Sequence, residues 1–451
     1  MRPLLLDAAT RANRYLEGLE SRSVVPSAEA ISRLSDLGRP LPQHPDDPEA
    51  VLAALDAIGS PATMASAGGR YFGFVTGGSL PAALAANWLA GAWDQNAGLA
   101  VTSPAAATLE EIALGWLLDV LRLPEQSGGA FVTGTTMANF SALAAARHAI
   151  LARAGWDVEA NGLFEAPPVT VVVGDEVHVS LLKALTLLGL GRDRVVRVPV
   201  DGQGRMRAEA MPPLTDRTIV CAQAGNVNTG AFDPVREVCA AAHDAAAWVH
   251  VDGAFGLWAA ASPTFAHLAR GTEDADSWAV DAHKWLNTPY DGGVAFVRHA
   301  VHLSAAMSTS AAYLQQSERR EPMLYTPEMS RRARGVEIWA ALRSLGRSGL
   351  ADLVERTCRY ARRFAEGLAN GGYAVLNEVV LNQVLVSFGD DEITRRVIDG
   401  IQSEGTCWCG GTMWQGHAAM RISVSSWATT ERDIDRSLAA MLRVAGDSRR
   451  P

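Results

Sequence analysis

The sequence predicts an α/β protein with a mostly parallel, doubly wound sheet, an N-terminal helical arm and a small C-terminal α/β domain. Between about residues 130 and 300, short β-rich runs alternate with alanine-rich helical stretches, which is the rhythm of βαβ units. The first 60 residues show helical spacing around a proline-rich turn, and a second, shorter α/β alternation follows the large one. We therefore expect an arm over 1–68, a large domain over 69–345 and a small domain over 346–451.

The predicted strands are short apolar runs, most of them rich in valine. They cover 169–173, 195–200, 218–222, 248–251, 278–280 and 294–297 in the large domain, and 374–376, 383–388 and 420–424 in the small one. Helices are predicted over 11–19, 51–58, 105–121, 137–153, 180–188 and 235–246. Thr102-Ser103-Pro104 precedes one of these helices and is typical of a helix N-terminus.

Composition and charge exclude several classes of function. The 451 residues are 48% hydrophobic and 20% charged, which is ordinary for a globular protein with a large core. The net charge of −9 argues against a nucleic-acid partner, because phosphate binding requires clustered lysine and arginine. No apolar run approaches about 20 residues, so we expect no membrane span. The leucine run near the start stops at Asp7, too short for a signal peptide, and we expect a cytoplasmic protein.

The cysteines do not predict a disulfide framework or a metal centre. The five are Cys221, Cys239, Cys358, Cys407 and Cys409. Only the last two lie close together, and no second pair of cysteine or histidine follows at zinc-ligand spacing. We therefore expect reduced thiols and no metal.

Polar residues follow several predicted strands, at the edge where open α/β sheets bind their ligands. Lys284, in Asp281-Ala282-His283-Lys284-Trp285, comes just after the strand at 278–280. Its amine can condense with an aldehyde if desolvation or nearby cations lower its pKa. The alternative is a lysine that bridges surface loops, which describes most lysines.

A carboxylate, Asp252, stands directly after the strand at 248–251 and is followed by Gly253 and Ala254. Burial of an isolated carboxylate is unfavourable unless a cation meets it. A protonated pyridine nitrogen is such a cation, and the two small residues leave room for a flat ring beside the backbone. The alternative is an aspartate that caps a turn or pairs with an arginine.

Two further motifs complete the pattern. Gly134, Thr135 and Thr136 form a turn that leads into a helix, where free N–H groups and two hydroxyls suit a phosphate. The alternative there is a plain threonine N-cap. His178 follows the strand at 169–173 and could stack on a flat ring or donate a proton, although a lone histidine is more often structural. The order of phosphate turn, histidine, aspartate and then lysine is more specific than any single motif.

This order, with Asp252-Gly253-Ala254 and His283-Lys284-Trp285 as they stand, resembles the group II decarboxylases that depend on pyridoxal 5′-phosphate (PLP). These include the aromatic-L-amino-acid, glutamate and histidine decarboxylases. The likeness covers nearly the whole chain, with further matches at Ser103-Pro104, Ala231-Phe232-Asp233 and Met420-Arg421-Ile422. It implies fold type I of PLP enzymes with a seven-stranded type of sheet. It also implies a homodimer with active sites at the interface, and conversion of an L-amino acid to its amine and CO2 by a carboxy-lyase.

The resemblance also implies how the cofactor is held. Lys284 would bind the PLP aldehyde as a Schiff base, and Asp252 would pair with the pyridine nitrogen. His178 would stack on one face of the ring, and Ala254 would pack on the other. The residues expected around the phosphate are Gly134, Thr135, Thr136, Asp281 and His283.

For the substrate, the resemblance points to residues further along the chain. Arg421 matches an arginine that several members place near the substrate carboxylate, and Thr76 lies in the matching loop at the mouth of the site. A mobile loop over 308–328 would close over the partner's site, and it offers Tyr313 or Tyr325 as the donor of a proton to Cα.

Three departures from the family pattern bear on the substrate and on the phosphate. Gly225-Asn226-Val227 stands where many members have Gly-Thr-Thr, and Asn96-Ala97-Gly98-Leu99-Ala100 stands where the aromatic enzymes keep bulky side chains. Asp281 stands where the aromatic and glutamate enzymes usually have asparagine, and a carboxylate repels phosphate. Thr135 and Thr136 are therefore the better phosphate ligands, and the identity of the substrate stays open.

Other functions remain open from the sequence. The same cofactor supports an aldehyde synthase, which couples decarboxylation to oxidative deamination, or an aminotransferase. A non-catalytic regulatory protein with a PLP fold is a different class, and the joint presence of Lys284, Asp252 and His178 counts against it. A Rossmann dehydrogenase is not expected, because the turn at Gly134 lacks the G-x-G-x-x-G pattern.

Overall fold

The structure is a computed structural model of the chain and describes residues 1–38, 40–309 and 319–448. Contacts group the chain into two compact units. The first comprises Met1–Gly78, Tyr360–Leu376 and Val384–Pro451, and the second comprises Ser79–Arg359 and Asn377–Gln383. The division of the sequence into three contiguous segments stays a prediction. Within the described residues, every helix is too short or too polar to cross a membrane.

The second unit is built on a seven-stranded sheet. Its strands are β1 Gly128–Val132, β2 Thr170–Gly174, β3 Val196–Val198, β4 Thr218–Gln223, β5 Trp248–Asp252, β6 Ser277–Asp281 and β7 Gly293–Val297. They lie in the order β1-β7-β6-β5-β4-β2-β3. Four neighbouring pairs are parallel, whereas β7 is antiparallel to both β1 and β6. The predicted mostly parallel α/β sheet is confirmed.

Four of these strands, β4 to β7, are buried at every residue. Strands covered on both faces read as continuous apolar runs and do not alternate, which is why the sequence shows them clearly. The first strand, β1, was not predicted, because its two leading glycines have low strand propensity. A Cβ on Gly128 would lie 2.4 Å from that of Ala300, and one on Gly129 would lie 2.6 Å from the ring of Phe296. Close packing therefore requires glycine there.

The described helices are α1 Arg2–Gly18, α2 Ala28–Arg33, α3 Pro48–Ala54, α4 Pro81–Trp93, α5 Pro104–Val120, α6 Thr135–Arg153, α7 Val158–Asn161, α8 Val179–Leu187, α9 Val235–Asp244, α10 Ala300–Met307, α11 Gly335–Asn370, α12 Asp391–Glu404 and α13 Glu431–Asp447. All six predicted helices are present. The first begins at Arg2, nine residues before the predicted start, with Pro3 in its first turn where a missing N–H is harmless. Gly346, at φ 59, interrupts the helical geometry of α11.

Helix α6 begins two residues earlier than predicted, and this shift matters for the site. The carbonyl of Gly134 accepts hydrogen bonds from the N–H groups of Met137 and Ala138, so Thr135 and Thr136 form the first turn. The start of α6 packs on the sheet through Met137 and Ala138, which contact Val132 and the alanines of β6 and β7. The threonines are therefore held at a fixed position beside the sheet edge.

The first unit contains a smaller, four-stranded sheet. Its strands are β8 Ala374–Val375, β9 Gln383–Ser387, β10 Gly410–Trp414 and β11 His417–Ser423, in the order β10-β11-β9-β8. The antiparallel hairpin of β10 and β11 turns at Gln415 and Gly416, which have φ of 49° and 82°. Strand β10 was not predicted, because it starts with two glycines and carries no valine or isoleucine.

We predict opposite effects from alanine at two glycines. A Cβ on Gly293 would lie 2.5 Å from the Cα of Gly134, so Gly293→Ala should lower the free energy of unfolding by about 1–3 kcal/mol through overpacking. Gly115 is exposed on α5 with nothing within 4 Å, so Gly115→Ala should raise it by about 0.5–1 kcal/mol. Urea unfolding of both variants measures the difference, and equal shifts would show that Gly293 is not constrained.

Candidate active site

Residues from four predicted motifs lie at one edge of the large sheet. Strands β2, β4, β5 and β6 are parallel, and β1 points the same way as β6 because the antiparallel β7 separates them. Thr135, His178 and Lys284 follow β1, β2 and β6 at their carboxyl ends, and Asp252 is the last residue of β5. The edge expected to bind a ligand in an open α/β sheet therefore carries all four.

Asp281, the last residue of β6, joins three of the predicted cofactor residues. Its Oδ1 accepts a hydrogen bond of 2.7 Å from the backbone N–H of Thr135. Its Oδ2 lies 3.1 Å from Nζ of Lys284 and 3.6 Å from Nε2 of His283. The carboxylate is buried, and its position explains why an aspartate is tolerated here: it binds a helix N-terminus and a lysine ammonium.

His283 is a neutral ring at this edge. Burial lowers its pKa, and the N–H of Gly292 donates to its Nδ1 over 3.2 Å, which makes that nitrogen an acceptor. The ring stacks on exposed Tyr290, with centroids 4.4 Å apart. A Cβ on Gly134 would lie 3.0 Å from Cε1 of His283, so glycine keeps open the space between the turn and the ring. No sequence pattern had indicated Tyr290.

Asp252 is a buried carboxylate without a cation. Its Oδ2 accepts a hydrogen bond of 3.0 Å from the side-chain amide of Asn139, and its Oδ1 accepts one of 3.2 Å from the N–H of Ala254. Among the described residues, no lysine, arginine or histidine forms an ion pair with it. Both contacts favour the ionised form, so the structure offers a negative charge at the place where the sequence predicted a partner for a ring nitrogen.

The backbone of Ala254 bridges the ends of two strands. The N–H of Gly253 donates to the carbonyl of Ala279, and the N–H of Asp281 donates to the carbonyl of Ala254, each over 2.9 Å. These bonds fix the backbone of Ala254 between the ends of β5 and β6.

A buried hydrogen-bond chain behind Asp252 was missed by the sequence analysis. The amide of Asn139 also contacts Nε2 of His250 over 2.9 Å. Nδ1 of His250 contacts Oγ of Ser277 over 2.9 Å, and Trp248 donates to the same oxygen. Burial lowers the pKa of His250 to about 4. The signal in the sequence was a histidine in an otherwise apolar run, two residues before Asp252.

His178 caps α8, and its ring orientation is fixed by that cap. Its Nδ1 lies 2.7 Å from Oγ of Ser180 and accepts from the backbone N–H of the same residue over 3.3 Å. Nearby on the chain, Glu176 has a raised pKa because it is partly buried, and its carbonyl accepts from the side chain of Gln223 at the end of β4. The histidine therefore stands on a rigid element, as a residue that contacts a ring requires.

Two buried polar atoms at this edge have no hydrogen-bond partner within the described chain: Oγ1 of Thr135 and Nδ2 of Asn226. The hydroxyl lies in the first turn of α6, and the amide follows β4. Asn226 is held by its other atom, since its Oδ1 accepts from the N–H groups of Asn228 and Thr229. Buried unsatisfied groups are unfavourable, so these two atoms indicate a ligand.

The remaining predicted residues are Tyr325, Tyr313, Thr76 and Arg421. In the second unit, Tyr325 is the last residue of a short 3₁₀ turn. The guanidinium carbon of Arg320 lies 4.5 Å from the centroid of its ring. The ring also packs against the hydrophobic cluster that includes residues of α6 and α10. Tyr313 lies outside the described residues. In the first unit, Thr76 is buried, and Arg421 is a partly buried cation on β11 whose pKa burial lowers. Arg421 has no acidic partner among the residues that the structure describes.

These features fit a flat cationic ring that carries a phosphate and an aldehyde. Asp252 could pair with the ring nitrogen, the buried hydroxyl of Thr135 at the start of α6 could bind the phosphate, and the amine of Lys284 could condense with the aldehyde. Gly134 and Ala254 leave the space that the ring needs. The fold and the site together define a PLP-dependent enzyme.

Comparison with known proteins gives the family. The family model described as pyridoxal-dependent decarboxylase conserved domain matches residues 33–389, and the chain belongs to that family. Aromatic-L-amino-acid decarboxylase of Sus scrofa is 27% identical over 91% of this chain and 89% of its own length. Phenylacetaldehyde synthase of a Rosa hybrid cultivar is 27% identical over 74% of this chain and 72% of its own length. The crystal structure of Oryza sativa TDC with PLP and tryptamine superposes with a TM-score of 0.91, at 24% identity, covering 99% and 97% of the two chains.

The family confirms several predictions at once. The fold is type I of PLP enzymes, the cofactor is PLP, and the chain is a carboxy-lyase that converts an L-amino acid to an amine and CO2.

We predict that His250 makes stability depend on pH. The unfolded chain binds a proton at this residue below about pH 6.5, whereas the folded protein does so only below about 4, so the free energy of unfolding falls as pH drops through that window. The difference between wild type and His250→Gln should therefore shrink by up to about 1.4 kcal/mol per pH unit.

Chemical denaturation at pH 7, 6 and 5 measures this difference. Asp233, whose pKa burial raises to about 6, acts in the opposite direction, but it is common to both proteins and cancels. A difference that stays constant between pH 7 and 5 would show that His250 is not a buried neutral base.

Proposed function

We propose that the chain decarboxylates an aromatic L-amino acid, with Lys284 as the residue that binds the PLP aldehyde and Asp252 as the partner of the ring nitrogen. The observation that supports it most is Asp252, a carboxylate buried at the end of β5 with no ion-pair partner in the part of the chain that the structure describes. A cation next to a buried charge of this kind stabilises it further, and a protonated pyridine is a cation of the right shape.

When it is bound, PLP supplies an electron-accepting ring for the electron pair of the broken Cα–carboxylate bond. The work of Asp252 is to keep the ring nitrogen protonated, because a carboxylate stabilises the neighbouring positive charge. Lys284 must lose a proton before its amine can attack an aldehyde. Oδ2 of Asp281, 3.1 Å from Nζ, orients the side chain of Lys284.

For the phosphate, we propose Thr135 and Thr136 with the turn at Gly134. The hydroxyl of Thr135 is buried and without a partner, and both threonines lie in the first turn of α6, where the helix dipole favours an anion. Asp281 already accepts from the N–H of Thr135 and is not a phosphate ligand in this proposal. It acts beside His283 as the residue that fixes Lys284.

The ring would lie between His178 and Ala254. His178 is anchored by its bonds to Ser180 at the start of α8, and Ala254 is anchored by its backbone bond to Asp281. A flat histidine on one side and a methyl group on the other hold a ring in one plane. This matters because the bond that breaks must stand perpendicular to that plane.

Two observations support the substrate class. The pig relative is named for aromatic L-amino acids, and the rice structure contains tryptamine, an aromatic amine. Arg421 is a partly buried cation without an acidic partner among the described residues, which suits a substrate carboxylate. We keep Thr76 as a predicted contact in the loop at the mouth of the site.

A homodimer in the cytoplasm is also part of the proposal. Exposed apolar side chains occur on α1, at Leu5 and Leu6, and on α4, at Trp88, Leu89 and Trp93. Large exposed apolar residues on a helix are typical of surfaces that another subunit covers. These helices are therefore candidates for the dimer contact.

A second candidate is an aldehyde synthase, and it has a specific observation in its favour, since phenylacetaldehyde synthase of rose matches 74% of the chain. The two reactions share the cofactor and the loss of CO2, and they differ in product. An amine indicates decarboxylation alone, whereas an aldehyde with ammonia and hydrogen peroxide indicates oxidative deamination.

We predict that the purified protein shows the visible absorption of bound PLP and releases CO2 from tryptophan, tyrosine or phenylalanine faster than from glutamate. Lys284→Ala should abolish that absorption band and reduce CO2 release to background, because Lys284 is the residue that binds the aldehyde in this proposal. Lys183→Ala, at an exposed position of α8, is the control and should behave as wild type. A wild-type protein that stays colourless after addition of PLP would refute the proposal.

We predict that replacing Tyr325 and replacing Tyr313, the two candidate proton donors, have different effects on kcat. Because the ring of Tyr325 is held between Arg320 and a hydrophobic cluster, Tyr325→Phe preserves those contacts and should leave kcat for amine formation within about twofold. Tyr313→Phe should lower it by about 100-fold, the usual contribution of a general acid. Product analysis of both variants distinguishes them, and a large loss in Tyr325→Phe alone would reverse the assignment.

A further inference from the structure

Four residues behind Asp252 form a buried hydrogen-bond chain that ends on its carboxylate: Trp248, Ser277, His250 and Asn139. We propose that His250 and Asn139 are positioning residues, which hold Asp252 ionised and aimed at the cofactor nitrogen by fixing the direction of every hydrogen bond in this chain. The inference rests on the proposed role of Asp252, and it assigns work to two residues that touch neither cofactor nor substrate.

The direction of the chain follows from its two ends. An ionised Asp252 can only accept, so Asn139 must present its amino group there and its carbonyl oxygen to His250. Nε2 of His250 must then carry the proton. At the other end, Trp248 can only donate, which leaves the hydroxyl hydrogen of Ser277 free to point at Nδ1 of His250. All four bonds therefore run towards Asp252.

This arrangement requires a neutral His250 in a single tautomer. The residue is fully buried between β5 and its neighbours, and burial holds its pKa at about 4, so it carries one proton at neutral pH. Ser277 supplies the proton that Nδ1 accepts, so the proton of the ring is placed on Nε2. Asn139 and Ser277 are also fully buried, and water does not compete for these bonds.

The consequence for Asp252 is that neither oxygen has room for a proton. Oδ2 faces the amino group of Asn139, and Oδ1 faces the N–H of Ala254, so protonation of either oxygen would set two donors against each other. A rotated Asn139 amide would instead place an oxygen against the carboxylate, and the two acceptors would repel each other. His250 prevents that rotation, because its Nε2–H requires an acceptor on Asn139.

The first test removes the chain without touching Asp252. In Asn139→Leu and His250→Phe, which keep approximate shape, the dissociation constant for PLP should rise about tenfold and kcat should fall about tenfold, the effect expected of a residue that supports a cofactor ligand, with KM within about twofold. His250→Gln should recover most of both losses, since its amide can donate to Asn139. A KM change that matches the kcat change would contradict a positioning role.

The matched control is Ser141→Ala. Ser141 is fully buried on α6, two residues after Asn139, and its hydroxyl has no hydrogen-bond partner among the described residues. The substitution removes a buried polar atom from the same helix without entering the chain, so PLP affinity and kcat should stay at wild-type values. If Ser141→Ala loses as much as Asn139→Leu, the losses report general destabilisation of α6 and the proposal fails.

A second measurement needs no cofactor and uses a variant only to assign the signal. Nitrogen NMR of the apoprotein labelled at histidine, with His250→Gln used only for assignment, should show His250 as the neutral Nε2–H tautomer from pH 7.5 to pH 5. A ring protonated at Nδ1, or one that titrates in that range, would overturn the inference.

Asp252→Ala separates this inference from the proposed function. If this variant binds PLP and turns over as wild type does, the role of Asp252 itself is wrong. If Asp252→Ala is impaired while Asn139→Leu and His250→Phe both equal wild type, the proposed function stands and the positioning role of the chain is rejected.

Discussion

The central constraint in this protein is the charge of Asp252, a carboxylate that is buried at the end of β5 with no ion-pair partner among the described residues. Burial of an ion is unfavourable unless its surroundings compensate, and here two donors, from Asn139 and Ala254, hold it in the ionised form. The remaining requirement is a positive partner, and the proposed partner is a protonated pyridine. In that proposal, some residues at the sheet edge keep Asp252 ionised and others leave space for the ring.

A second carboxylate, Asp281, has a different role at the same edge of the sheet. It binds the N-terminus of α6 through Thr135 and the ammonium of Lys284, so it connects the helix expected to hold phosphate with the lysine expected to hold the aldehyde. A negative charge next to a phosphate looked unfavourable in the sequence. In the structure its charge is already met by a backbone N–H and a cation, and the repulsion is correspondingly reduced. The hydroxyl of Thr135 remains available for the ligand.

The sequence predicted strands and site residues correctly where a residue and its neighbours in the chain form a recognisable pattern together. Strands β4 to β7 were visible because burial on both faces demands continuous apolar runs, and Asp252 and Lys284 stood out as polar groups directly after such runs. Strands β1 and β10 were not predicted, because each starts with two glycines and glycine has a low strand propensity. In β1 the glycines are needed for close packing, and in β10 they begin a hairpin. The start of α6 at Thr135 was also not predicted, because the residue before it, Gly134, has no side chain that could cap a helix.

What the sequence by itself determined was the order of chemical groups along the chain, and with it the cofactor and the family, because that order reflects which strand each group follows. Only the tertiary structure decided how these groups are supported. Asn139 and His250 are 111 residues apart, and their bond exists because α6 packs across β5. The free atoms of Thr135 and Asn226, the stacking of Tyr290 on His283, and the enclosure of Tyr325 beneath Arg320 are equally non-local. The physical reason is that hydrogen-bond direction and burial depend on which distant residues meet, and no local pattern records that.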